Sequence, residues 1–116
     1  METPIADFVR RYADSGMIRA HMPGHKGKSF LGCETLDITE IQGADSLYEA
    51  EGIIRRSESY AGGLFGSGRT VYSTEGSSQC IRAMLYLALT CGNGSRTVVA
   101  ARNVHRAFVY AAALLD

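Results

Sequence analysis

The chain has 116 residues, 46% hydrophobic and 21% charged, which suits one ordinary globular domain or a piece of a larger one. Twelve Lys and Arg balance twelve Asp and Glu, so no long-range field favours nucleic acid or an anionic membrane. The longest apolar stretches, near Met84 to Leu89 and Phe108 to Leu115, fall well short of the roughly 20 residues a bilayer requires. The start of the chain lacks the apolar core of a secretory signal, so a cytoplasmic location is expected.

Thr3-Pro4 reads as a helix start, with Thr3 as N-cap and Pro4 at the first helical position. Ile5, Phe8, Val9 and Tyr12 then share a face, and Ser15-Gly16 should end the helix. From Met17 to about Ser46 the apolar positions lose their period and glycines recur, which predicts extended chain and turns. Within that stretch His21-Met22-Pro23-Gly24-His25-Lys26-Gly27 places two imidazoles and an amine around one tight turn. Taken alone it is more simply a solvated turn with incidental histidines than a candidate active-site loop carried by His21, Pro23, Gly24 and His25.

A second helix is predicted from about Gly52 to Gly62, with Ile53, Ile54, Tyr60 and Ala61 inward and Arg55, Arg56 and Glu58 on a wet face. Gly62 to Gly68 does not follow the GxGxxG order of a dinucleotide site and is read as the helix exit and a turn. Arg69 to Ser73 is a short β-prone run. Glu75-Gly76-Ser77-Ser78 follows, and then Ile81, Met84, Leu85, Ala88 and Leu89 repeat at helical spacing. Strand, small polar turn and helix together make an anion-binding geometry, because the first N–H groups and the positive end of the helix face the turn. A serine that merely caps the helix is the plainer reading, and the two are compatible.

The third helix should end at Cys91-Gly92-Asn93-Gly94. Thr97 to Ala101 reads as a second, buried parallel strand, leading to His105 and a last helix with Phe108, Val109, Ala112 and Leu115. His105 would then lie beyond the carboxyl end of a strand, where open α/β sheets place ligands, although a lone histidine there also serves as a helix cap. Cys33, Cys80 and Cys91 are an odd set without a CxxC pair, so reduced, packed thiols are expected. The histidines supply no pair on a helix, and no metal site is expected.

Taken in order, HMPGHKG, DITEIQGADSLYEAEGIIRRSESYAGGLFG, STEGSSQ and AARNVHRAF resemble the amino-terminal part of the Orn/Lys/Arg decarboxylase family. The likeness is greatest to its bacterial biosynthetic arginine and lysine decarboxylase branch. It covers about His21 to the last residue, and four segments match in the right order. The resemblance implies pyridoxal-phosphate enzymes of fold type I, the aspartate aminotransferase fold. The expected fold class is therefore α/β, with an N-terminal helix and irregular segment over residues 1–46. The first β-α-β-α elements of an incomplete cofactor-binding large domain would follow over 47–116.

By the same resemblance Gly76, Ser77 and Ser78 would hold the cofactor phosphate, and His105 would stack on the pyridine ring. The loop of His21, Pro23, Gly24 and His25 would lie near the cofactor and a subunit interface. Glu75 stands where the family commonly has asparagine and brings a negative charge to the turn, Ser77 replaces threonine, and Arg106-Ala107 replaces Lys-Ser. The Schiff-base lysine, the acid that pairs with the pyridine nitrogen and most of the substrate pocket have no counterpart in these 116 residues. Lys26 matches the loop and not that lysine.

The expected function is thus the amino-terminal part of a decarboxylase that releases CO2 from arginine, lysine or ornithine to give an amine for polyamine biosynthesis. The isolated chain would be inactive, and the complete enzyme would be a homo-oligomer. A non-catalytic phosphate-binding or interaction module and an inactive truncated product are the alternatives.

Overall fold

The computed structural model describes residues 2–92 and 94–115. Four α-helices and one 3-10 turn make up the regular structure among the described residues, and no strand forms there. The expectation of an α/β fold with a β-α-β-α start is therefore overturned. Residues 69–73 and 97–101 carry the right composition, but a strand exists only where a neighbour supplies ladder hydrogen bonds, and no described segment pairs with either. Val71 and Val99 are exposed instead of lying between sheet neighbours.

The chain divides into two compact units, one ending at Tyr72 and the other starting at Ser73. In the first, α1 spans Pro4–Asp14 with Pro4 at its start, as the sequence predicts. Thr3 does not cap it with its hydroxyl; that hydroxyl and the Thr3 N–H both donate to Asp7, at 2.9 and 3.3 Å. The helix ends where Gly16 turns away at φ +68°.

Helix α2, Ile53–Phe65, runs three residues past the predicted exit. It terminates at Gly66, whose φ of +64° suits glycine, and the Ser67 N–H closes on the Gly62 carbonyl at 3.0 Å. α1 packs against α2 and against a single 3-10 turn at Glu34–Leu36.

In the second unit α3, Gly76–Cys91, packs against α4, Arg106–Leu114. Leu85, Ala107 and Ala111 are the buried apolar residues there, and two alanines let the helices approach closely. Met84, predicted to face inward, is 62% exposed. No described helix is long and apolar enough to cross a membrane. The three cysteines are free and exposed, so the packed environment expected of them is not found.

Candidate functional site

Two groups of candidate residues stand out, one in each unit. In the first unit the His21–Gly27 loop is closed upon itself. The His21 Nδ1 meets the Met22 carbonyl, which can only accept, so Nδ1 carries the ring proton. Nε2 then accepts from the Tyr12 hydroxyl at 2.6 Å. His25 has the opposite tautomer: its Nδ1 accepts from the Gly27 N–H at 3.0 Å, so Nε2 donates to Asp37 at 3.2 Å. Lys26, at φ +54°, donates its amine to the His21 carbonyl at 2.6 Å. The Met22-Pro23 bond is cis.

Arg19 backs this loop. Its guanidinium lies 4.9 Å from the Tyr12 ring centroid and donates to the carbonyls of Thr35 at 2.6 Å and Glu34 at 3.3 Å. A Cβ on Gly27 would come within 2.8 Å of that guanidinium, and the φ of +75° there is itself a glycine conformation. Both imidazoles thus spend their nitrogens on shaping the loop, and neither offers a free one to a metal. Among the described residues no group of three His, Cys, Asp or Glu could hold a metal ion.

Two carboxylates organise other backbone segments of the first unit, and the sequence reading missed both. Glu34 accepts from the N–H groups of Leu31 at 2.7 Å and Gly32 at 3.0 Å. Backbone donors, Leu31 foremost, hold its carboxyl down to about 2 against the opposing effect of burial. Asp45 is raised by burial, but four backbone donors at Glu51, Gly52, Ser46 and Ile54 outweigh this and bring it to about 2. Its Oδ2 accepts from the Gly52 N–H at 2.8 Å and from the Ile54 N–H at 3.0 Å, so Asp45 caps α2 in place of the side chain that Gly52 lacks. Glu58, expected on a wet face, is 2% exposed; its carboxylate accepts the Tyr72 N–H at 2.9 Å.

In the second unit Gly76, Ser77 and Ser78 form the first turn of α3, with Glu75 at the N-cap and no side-chain cap on the helix. Gly76 sits at φ +63° with open space where a Cβ would be. Backbone N–H groups at such a turn have no helical partner and, with the helix dipole, suit an anion. Ser73 holds the approach, donating to Gln79 and accepting from the Glu75 N–H at 3.3 Å. The negative charge of Glu75 is compensated locally: Arg82, two turns along α3, donates to its carboxylate at 2.7 Å. The i, i+7 spacing of Glu75 and Arg82 is the signal by which sequence reasoning could have found this pair.

His105 is the N-cap of α4, and its Nδ1 accepts the Ala107 N–H at 3.1 Å. This is the helix-cap role that the sequence left open beside ring stacking. It fixes the ring while leaving the side chain exposed.

A phosphate suits the α3 turn on donor chemistry, since the first turn of the helix carries N–H groups without helical partners, two serine hydroxyls and a residue without Cβ, and Glu75 is paired with Arg82. Comparison with known families matches residues 3–116 to "Orn/Lys/Arg decarboxylase, major domain". Among curated proteins, similar sequences include arginine decarboxylases of Bacillus subtilis, 30% identical, and Halalkalibacterium halodurans, 31% identical, each over 95% of this chain. Another arginine decarboxylase, of Bacillus cereus, is 30% identical over the same share. The chain spans about a quarter of their length, 24%, 24% and 25% respectively. No solved structure matches it. The match over residues 3–116 places the chain in the Orn/Lys/Arg decarboxylase family.

Proposed function

We propose that this chain supplies the phosphate-holding part of a pyridoxal-phosphate-dependent decarboxylase of a basic amino acid, with arginine the first candidate. The observation that carries the proposal is the α3 turn, where the compensated Glu75 leaves Gly76, Ser77 and Ser78 able to receive a phosphate dianion. The names of the similar curated proteins favour arginine over lysine and ornithine. When bound, pyridoxal phosphate supplies an electron sink for the pair left behind as a carboxylate departs as CO2. The backbone donors and hydroxyls of Gly76 to Ser78 anchor the phosphate, and Arg82 keeps Glu75 from repelling it. His105, with its ring held by the Ala107 N–H, presents a flat face suited to stacking on an aromatic ring. The His21–Gly27 loop acts as a shaped wall, because its donors and acceptors are consumed internally.

The test is release of labelled CO2 from carboxyl-labelled arginine, lysine and ornithine. It uses protein purified from cells expressing the gene that holds this sequence, with and without added pyridoxal phosphate. Cofactor-dependent release, largest from arginine, is expected; no cofactor-dependent release from any of the three overturns the reading. Borohydride reduction and peptide mapping on the same sample should leave Lys26 unlabelled. Labelling at Lys26 would refute its assignment to the loop wall.

A further inference from the structure

We infer that the first unit holds a second oxyanion site, a cavity beside α2 that takes a small carboxylate or phosphate. The cavity measures about 180 Å³ and is lined by Arg55, Glu58, Ser59, Ser67, Arg69 and Thr70, with glycine backbone completing the wall. At about 30 Å³ per water it has room for roughly six waters, the size of one oxyanion group with a short substituent.

Its charges do not cancel. Two guanidinium groups, Arg55 and Arg69, line it with a single carboxylate, Glu58, and that carboxylate is already engaged. One oxygen accepts the Tyr72 N–H at 2.9 Å, while the other lies 3.8 Å from the Arg55 guanidinium, beyond hydrogen-bond distance. Arg69 has no hydrogen bond or ion pair to any described residue. A guanidinium whose fork of donors is open at a cavity wall is matched to a carboxylate or phosphate edge. The hydroxyls add a donor. Ser67 and Thr70 lie 2.8 Å apart and can use only one O–H between them, which leaves the other for a ligand.

The surroundings limit the ligand's size. A neighbouring depression of about 310 Å³ shares Arg55, Glu58 and Arg69 but also presents Glu49 and Glu51. An extended polyanion would meet like charge there, whereas a single small oxyanion would not. The inference does not rest on the proposed decarboxylase reading, since all of its residues lie in the first unit.

The test is titration of the full chain with acetate and, separately, with inorganic phosphate, followed by amide NMR shifts at Gly62, Gly63, Ser67 and Gly68. Saturable shifts with either anion are expected. Arg69→Gln should weaken them by about tenfold or more, as for loss of a charge-assisted bond, with the rest of the amide spectrum unchanged. Arg69→Lys should recover part of the affinity, because it restores the charge without the fork. The relative response to acetate and phosphate identifies which source of the oxyanion the cavity prefers. Absence of saturable shifts with both anions, or shifts that survive Arg69→Gln unchanged, would overturn the inference.

Discussion

At the scale of single residues, Asp45 shows how far one carboxylate can act. It lies outside α2, at φ +70°, and still satisfies donors at both Gly52 and Ile54. Asp45→Ala should cost about 1 kcal/mol in thermal unfolding followed by circular dichroism, the usual effect of losing a helix cap. The pH dependence has a definite sign. Folding lowers the Asp45 carboxyl to about 2 from its ordinary 3.8, so the ionised form is the one that stabilises. That contribution is complete above about pH 4 and disappears as pH falls through about 2, so the variant's stability should change less than the parent's across this window. None of this was legible in the sequence, because the cap and the helix start are separated by Ser46 to Glu51 and local capping rules look only one residue back. Glu58 was misread for a related reason: a charged residue on a helix predicts solvent unless a backbone donor such as the Tyr72 N–H is known to meet it.

Among the elements, α3 carries the sharpest expectation. If Arg82 masks Glu75, then Arg82→Ala should weaken pyridoxal-phosphate binding by several-fold, measured by fluorescence titration, with little change in stability because the pair is exposed. Adding Glu75→Gln to Arg82→Ala should restore the affinity; failure to restore it would show that Arg82 acts on the phosphate directly. All four helices were readable, since each pairs a helical repeat with a start or stop residue such as Pro4, Gly16 or Gly92. The end of α2 was misplaced because Gly62-Gly63 looked like an exit, while Gly66 supplies the left-handed turn that ends it. The two β-prone runs have the composition of strands but no partner, and pairing is a property of two segments that one-segment periodicity cannot report.

For the whole molecule, the balance of surface is the dominant fact. Among the described residues the buried apolar side chains are those of Ala44, Leu85, Ala107 and Ala111, whereas Ile18, Phe30 and Val99 are each more than 90% exposed. Exposure on this scale favours association. Sedimentation velocity should show a weight-average mass that rises with concentration, and sulfate, which strengthens apolar burial, should increase it. A compact monomer at all concentrations would contradict this. The family was legible from the order of four short segments, while the extent of buried surface was not, because burial depends on which neighbours are present. The exposed thiols have a practical consequence: Cys33 belongs to the first unit, and Cys80 and Cys91 belong to the second. Spin labels attached to them would serve as native reporters of interdomain distance and its spread, with no engineered residue required.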